Sequence, residues 1–259
     1  MKTRSDPISQ PEVADRPLVC SEDVRSRILA SHGLDCLQDD PEMAAIAAFV
    51  TKLCNVPMAT VSVVEEKRQW FLVREGIEER ETPRAASFCA HAMLGSEPMV
   101  ITNTTKDPRF AQFASVTGPE HIRFYAGAPI LAEHGTPIGA LCAIDTVPRP
   151  DGLDKFQLEG LQVLAKAVAS RMHHNRQRLT SESELEFSQT RLRTMIDSAP
   201  QIAWSIDADG RFDYFNARWV EVTGAPAPAY ANEWKPYVHP DDFGGIMERW
   251  AQASLVLSV

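Results

Sequence analysis

The sequence predicts an α+β fold: an antiparallel sheet with flanking helices, then a long helix, then a second and smaller α+β domain. Three observations carry this prediction. Apolar strands follow one another with short turns between them, amphipathic helices precede and follow these strands, and short strands return after Pro200. Strands joined by hairpins favour an antiparallel sheet, here with helices packed on one side of it. The 259 residues suffice for two domains.

The first elements are two helices, which end signals delimit. Ser21 opens a short amphipathic helix that reaches Ala30. Asp40 followed by Pro41 is a typical helix start, and apolar residues recur at helical spacing until Pro57 ends the pattern. Both helices therefore precede the sheet.

Five strands and their connections follow. A hairpin turn is expected at 133–136, a short helical patch at 88–94, and a loop with one helical turn at 107–113. The expected strands are 59–64, 70–74, 99–102, 122–131 and 137–145.

Asp154 caps a long helix whose apolar residues have coiled-coil spacing with one slip of register. The pattern predicts a helical linker at 173–195 and a homodimer through the helix around 158–199. A single amphipathic helix lying on its own domain is the alternative. The apolar positions are Leu158, Leu161, Ala165, Val168, Met172 and Leu179, then Leu185, Leu192, Met195, Ile196 and Ala199.

The region after Pro200 predicts a hairpin, with strands at 202–207 and 211–215 around a turn at Asp209-Gly210. A short helix at 216–223 ends at a glycine, and another helix runs from His239 to Trp250.

Composition excludes several classes of function. The net charge of −9 disfavours binding to nucleic acid, and no apolar run approaches the ~20 residues that span a bilayer. The polar segment 1–17 is not a signal peptide, and residues 1–20 are expected to form a disordered leader. Five scattered cysteines without a CxxC pair indicate neither a disulfide framework nor a zinc site. We therefore expect a cytoplasmic protein.

Two segments carry a family resemblance. The first resemblance rests on the segments 88–92 (FCAHA), 123–130 (RFYAGAPI) and 138–145 (IGALCAID). Through these segments, residues 21–172 resemble a GAF domain. The resemblance implies a cavity between the sheet and its short helices, occupied by an unknown small ligand. The candidate lining residues are Trp70, Phe88, Cys89, Ala92, Phe110, Phe124, Tyr125 and Ala140.

Residues 196–259 resemble the first part of a PAS domain. The match rests on Ile196–Pro200, Tyr214–Asn216 and His239–Asp242, while the segment 251–259 does not read as PAS sequence. A GAF–helix–PAS order resembles the input region of bacterial sensor histidine kinases and, less often, of cyclic di-GMP enzymes. The resemblance thus implies a signalling module of a two-component system.

Cys89 leaves alternatives open, because it lies near the start of a short predicted helix, where a thiol pKa falls. Some GAF proteins reduce free methionine sulfoxide with cysteines, but no second cysteine lies within 105–128, where that family places it. A covalently bound bilin is not expected, since Ala90 separates Cys89 from His91 and the pocket motifs of phytochromes are missing. A GAF domain without ligand, acting as a dimerisation scaffold, is the third alternative.

No other motif indicates a catalytic, cofactor or metal site. The segment around His173-His174 does not match a kinase phospho-acceptor box, and neither a phosphate-binding glycine loop nor an ATP-binding box occurs. We therefore expect no catalytic residue in this sequence. We expect the long helix to pass a signal to an output domain.

Overall fold

The computed structural model describes residues 20–207, 209 and 211–256. The expected leader, apart from Cys20, and the turn residue Gly210 lie outside the described residues. The chain divides into two compact units, one ending at Thr180 and the other beginning at Ser181. No helix in the described ranges is long and apolar enough to cross a membrane.

The first unit is built on an antiparallel sheet, as the hairpin pattern predicts. Among the described residues it has six strands, in the order β3–β2–β1–β6–β5–β4. Strand β3 was not predicted, because three residues of mixed polarity carry no periodic signal. The bounds are β1 Met58–Val64, β2 Arg68–Glu75, β3 Glu81–Pro83, β4 Met99–Ile101, β5 Phe124–Leu131 and β6 Pro137–Asp145.

The helices of the first unit begin at the predicted caps. The Ser21 hydroxyl accepts a hydrogen bond from the Val24 amide, and Asp40 Oδ1 accepts two at 3.1 Å from the amides that open the second helix. The loop at 107–113 contains the expected helical turn, in which the Ala111 amide donates to the carbonyl oxygen of Asp107 at 2.9 Å, and short helical segments flank it at Thr104–Lys106 and in α4. The bounds are α1 Glu22–Ser31, α2 Pro41–Cys54, α3 Phe88–Ala92, α4 Ala114–Thr117 and α5 Lys155–Asp197.

Helices cover both faces of the sheet, whereas the hairpin pattern alone predicted them on one side. Successive side chains of a strand point to opposite faces. Val61, Phe124 and Leu141 accordingly share a core with α1, α2 and α5. Tyr125 and Cys142, their neighbours in sequence, belong to a second core with α3 and α4. Strands β1, β5 and β6 are therefore buried on both sides.

The first part of α5 packs on its own domain. Leu161, Val168 and Met172 are fully buried in the core on the α2 side of the sheet. Asn175 continues this contact, because its Nδ2 donates to the carbonyl oxygen of His32 at 2.8 Å. The apolar spacing up to residue 172 therefore reflects the alternative, a helix on its own domain. These side chains are not available to a second chain.

The part of α5 that belongs to the second unit is different. Every residue from 181 to 198 is exposed, including the large apolar Leu185, Leu192 and Met195, which are 60%, 56% and 60% exposed. A helix segment exposed all round has little tertiary packing to stabilise it.

The second unit contains a small hairpin and two helices, as predicted. Its strands are β7 Trp204–Ile206 and β8 Phe212–Phe215, and its helices are α6 Arg218–Thr223 and α7 Pro240–Val256. The last helix runs six residues beyond the predicted end at Trp250. The buried Asn216 donates through Nδ2 to the carbonyl oxygens of Ile196 and Gln201, so that the end of α5 is fixed to the hairpin.

Candidate functional site

A cavity of about 460 Å³ lies between the sheet and the short helices of the first unit. The sheet contributes the face that carries Tyr125, and α3 contributes Phe88 and Cys89. The loop after β2 and the segment after α4 complete the walls. The lining includes Met58, Thr60, Gln69, Phe71, Ile77, Glu78, Glu79, Thr82, Ser115, Pro119, Glu120, Ile122 and Ile144.

The cavity combines apolar walls with polar groups. Thr60 Oγ1 and Thr82 Oγ1 are both buried; Thr82 Oγ1 has no hydrogen-bond partner among the residues that the structure describes, and Thr60 Oγ1 has only the Cys142 thiol beside it. A buried polar group without a partner is costly, and a bound polar molecule removes this cost. Glu78, Glu79 and Glu120 lie in exposed parts of the lining. The arrangement suits a small molecule with both an apolar surface and polar groups.

A cluster of aromatic rings, of which Phe88 and Tyr125 line the cavity, forms its inner wall. The Phe88 ring stacks on the Tyr125 ring with a centroid distance of 5.0 Å and an interplanar angle of 20°. Phe110 and Phe113 contact Phe88 at centroid distances of 5.0 and 5.5 Å. Because these rings are packed on one another, α3 is held firmly on the sheet.

Two cysteines and a tyrosine meet beside the cavity. The Sγ atoms of Cys89 and Cys142 are 3.3 Å apart, although 53 residues separate them in sequence. The Tyr125 hydroxyl lies 3.4 Å from Cys89 Sγ, to which it donates, and 3.1 Å from Cys142 Sγ. All three side chains are buried, at 2%, 0% and 0% exposure for Cys89, Cys142 and Tyr125. Only Cys89 and Tyr125 of the three line the cavity.

The two thiols differ in acidity. Burial opposes ionisation of Cys89, but hydrogen bonds from Cys142, Ser62 and Tyr125 outweigh burial and lower its pKa. Burial raises the pKa of Cys142 well above its ordinary range, and the neighbouring Cys89 adds to the effect. Burial also raises the pKa of the Tyr125 phenol.

Gly127 provides the space for the Tyr125 hydroxyl. A Cβ atom at position 127 would lie 2.2 Å from Tyr125 Oη and 2.7 Å from Cζ. Gly127 is also the β5 residue that pairs with Cys142 on β6. The lack of a side chain at this position thus allows the tyrosine ring to lie along the strand and reach both sulfur atoms.

The structure brings together three of the eight predicted lining residues. Phe88, Cys89 and Tyr125 line the cavity. Ala92, Phe110 and Ala140 belong to the same core but do not line it, and Trp70 and Phe124 lie in the core on the opposite face. Neighbouring strand residues face opposite sides, so Phe124 and Tyr125 cannot share one wall. Whether the lining residues bind a ligand stays a prediction.

Sequence reasoning missed Cys142 and Thr60, although a signal for Cys142 was present. Cys142 follows Ala140 by two residues on one strand and must share its face. The resemblance to the reductases places a second thiol within residues 105–128, and Cys142 lies outside that range. Ile77 comes from an irregular loop and Thr82 from a short strand, and the sequence carries no periodic signal for either.

The histidine of the FCAHA segment is not part of a metal cluster. Burial and the nearby Arg109 guanidinium lower the pKa of His91, whose ring contacts Phe110 edge-on at 5.0 Å. In the described part of the chain, no group of three or more His, Cys, Asp or Glu residues is arranged to hold a metal ion.

Comparisons with known proteins agree with this architecture. The GAF domain family matches residues 40–172, and a PAS domain family matches residues 190–254. A cyclic di-GMP phosphodiesterase of Pseudomonas aeruginosa is 38% identical over 154 residues, which cover 59% of this chain and 26% of that protein. An uncharacterized protein of Sinorhizobium fredii is 31% identical over 74 residues, which cover 29% of this chain and 9% of that protein. The chain thus spans about a quarter or less of these relatives.

Among solved structures, a domain of a putative two-component sensor histidine kinase from Sinorhizobium meliloti is 17% identical, with a TM-score of 0.42. The match covers 55% of this chain and 93% of that domain. The sheet with its two buried faces and the cavity beside α3 occupy the segment that the family match delimits. The chain belongs to the GAF domain family, and a PAS domain follows its GAF domain.

Proposed function

We propose that this chain is a sensory input module, which couples the state of its GAF cavity to the histidine kinase output of a two-component phosphorelay. One observation carries the proposal. The cavity and helix α5 contact opposite faces of the same strands, since Tyr125 faces the cavity while its neighbour Phe124 lies in the core that holds Leu161. A displacement of β5 by a ligand therefore changes the surface on which α5 rests.

The mechanism is a shift of population between two arrangements of α5. A ligand shifts such an equilibrium only if it binds one arrangement more tightly than the other. The buried hydroxyls of Thr60 and Thr82 offer such a difference, because a ligand that bonds to both fixes β1 relative to β3. The strand pair β1–β6 then passes the change to Leu141 and the helix packed on it.

The exposed part of α5 is the proposed contact between two copies of the chain. Leu185 and Leu192 are spaced by seven residues, and Met195 follows three residues later, as in a two-stranded coiled coil. Their exposure supports the second copy as the covering partner, because a parallel pair buries the same stripe of both helices. The dimer contact thus moves to residues after 180, away from the buried segment 161–172.

Two kinds of output domain are candidates. The order of domains favours a histidine kinase, and the sequence itself has no ATP-binding boxes, so the kinase would belong to another part of the protein or to a partner. The Pseudomonas aeruginosa relative favours a second candidate, an output that turns over cyclic di-GMP. Both candidates use the same cytoplasmic input mechanism.

The proposal is tested with ligands and distances in the whole chain. A panel of small metabolites is screened for a rise in melting temperature, with Thr60→Val as the cavity variant and Thr190→Val, at an exposed position, as the matched control. A cavity ligand should stabilise wild type and Thr190→Val but not Thr60→Val. Spin labels attached at Ser188→Cys, with Cys36 replaced by serine, then report the distance between two copies. A cavity ligand that leaves this distance unchanged contradicts the relay.

The two remaining alternatives give different results. A ligand-free scaffold shows dimers but no stabilisation by any member of the panel. A free methionine sulfoxide reductase shows thiol-dependent consumption of methionine sulfoxide that Cys89→Ser abolishes. Cys142 supplies a nearby second thiol for that reaction, which the sequence argument had not included.

A further inference from the structure

We propose that Cys89 and Cys142 form a reversible disulfide when a small hydroperoxide enters the cavity, so that the GAF domain contains a buried redox site. The inference deepens the proposed sensory function, on which it rests, by assigning its input to thiol oxidation. The formation of the bond is a property of this chain and is measured without any output domain.

The positions of the two sulfur atoms are suited to bond formation. They are 3.3 Å apart, and a disulfide requires about 2.0 Å. Bond formation therefore requires the two sulfur atoms to approach each other by about 1.3 Å. One cysteine lies on α3 and the other on β6, two elements that the aromatic wall already holds together. The native fold therefore brings the pair together before any oxidation.

Access to the pair is selective. Cys89 lines the cavity, whereas Cys142 is fully buried behind it. An oxidant must therefore enter the cavity and meets Cys89 first. Hydrogen peroxide is small and polar and can bond to the Tyr125 hydroxyl, which also lines the cavity.

The hydrogen bonds assign a role to each sulfur. Tyr125 Oη donates to Cys89 Sγ at 3.4 Å, and the Cys142 thiol lies close enough to donate as well. These donors lower the pKa of Cys89, against the effect of its burial, while burial raises the pKa of Cys142. Because Cys89 lines the cavity that the oxidant enters and Cys142 does not, Cys89 is the attacking residue and Cys142 the resolving one.

The two steps balance. The Cys89 thiolate attacks one oxygen of hydrogen peroxide, the O–O bond breaks, and the leaving hydroxide takes a proton from the Cys142 thiol to become water. Cys89 is then a sulfenic acid. The Cys142 thiolate then attacks the Cys89 sulfur and the S–O bond breaks. The leaving hydroxide takes a proton from solvent and becomes water. This proton balances the one that Cys89 released to solvent when it ionised. The protein loses two protons and two electrons, and the peroxide becomes two waters.

The remaining cysteines lack this arrangement and serve as internal references. Cys54 is as deeply buried as Cys142, and burial raises its pKa to about 11. In the described residues no other sulfur atom lies within hydrogen-bond distance of Cys54. Cys36 is exposed and its Sγ contacts Asn175. A reagent that oxidised thiols by exposure alone would modify Cys36 and spare the pair.

The experiment treats the reduced, full-length chain with hydrogen peroxide, quenches it with catalase, and alkylates all remaining thiols in denaturant. Peptide mass spectrometry then identifies each cysteine. We expect the peptides of Cys89 and Cys142 to be linked, lighter by two hydrogen atoms, and separated again by dithiothreitol, while Cys54 is alkylated throughout. Cys142→Ser should trap a sulfenic acid at Cys89 that reacts with dimedone, and Cys54→Ser, the matched control, should behave as wild type.

Tyr125→Phe provides a readout that mere packing would not affect. Loss of its hydrogen bond should slow linkage roughly fivefold at neutral pH and raise the pH at which the rate is half-maximal. The inference is overturned if Cys89 and Cys142 of wild type remain separately alkylated, if they react only at the rate of Cys54, or if Cys89 goes to sulfinic acid without a link. The wild-type result decides even where a variant fails to fold. A linked pair with an unchanged spin-label distance refutes the sensory relay and leaves the redox site in place.

Discussion

Replacement of Gly127 by alanine tests how tightly the tyrosine and the sulfur pair are packed. The new Cβ would lie 2.2 Å from Tyr125 Oη, 2.7 Å from Cζ and 2.9 Å from Cε1, whereas ordinary contact begins at 3.4 Å. The ring must move by about 1.2 Å, and it is fully buried and stacked on Phe88. Overpacking of this kind costs about 1–3 kcal/mol. Loss of the hydroxyl's contacts with two sulfur atoms adds about 1 kcal/mol.

The expected loss for Gly127→Ala is therefore about 2–4 kcal/mol of unfolding free energy, a fall of roughly 5–15 °C in melting temperature. Urea titration and thermal melting followed by circular dichroism measure both quantities. Gly244→Ala is the control, because among the described residues no atom outside its own helix backbone and chain neighbours lies within 4 Å of its new Cβ. In a Tyr125→Phe background the nearest clashing atom is gone, so the same substitution should cost about 1 kcal/mol less. Equal losses in both backgrounds, or at both glycines, would refute the packing argument.

Three further predictions follow from the helices. Leu161→Ala should lower the unfolding free energy by about 3–5 kcal/mol in urea titration, whereas Val163→Ala, at a 63% exposed position, should change it by less than about 0.5 kcal/mol; similar losses would contradict the docking of α5. The proposed coiled-coil dimer predicts that Leu192→Asp is a monomer in sedimentation velocity, while Phe187→Asp, off the heptad stripe, stays dimeric; a dimeric Leu192→Asp would exclude the coiled coil. Burial opposes the ionisation of Asp40, but hydrogen bonds from Arg171 and from backbone amides outweigh burial and lower its pKa. Its charge thus stabilises the fold above the unfolded pKa of about 3.9, and this contribution is lost as the pH falls through the lower folded pKa. The stability gap between wild type and Asp40→Asn in acid titration should shrink below about pH 4, and a constant gap would contradict this assignment.

The sequence was sufficient for elements with strong local signals. The Asp40-Pro41 start of α2 and both ends of β6 were predicted correctly, because a helix cap and a long apolar run between turns are local features. Strand β3 and the turns on either side of 107–113 carry no such pattern, so their positions depend on the sheet and the aromatic wall that they cover.

The candidate site was predictable in part. Phe88, Cys89 and Tyr125 come from segments with a family resemblance. The alternation of side chains along β5 and β6 places Phe124 on the face opposite to the cavity and Cys142 on the same face as Tyr125. The contact between Cys89 and Cys142 was not predictable from spacing. It arises because α3 crosses the sheet over β6, and a separation of 53 residues says nothing about that crossing.

The double burial of β1, β5 and β6 has a consequence for how such a domain can change its specificity. A substitution on these strands disturbs a core on one face or the cavity wall on the other, so few are tolerated at low cost. Ile77, Glu78, Glu79 and Glu120 line the same cavity from loops that neither core requires to be fully buried. Substitutions in these loops can therefore change the ligand preference while the sheet face that packs against α5 stays unchanged. The same helix can then respond to ligands of very different chemistry.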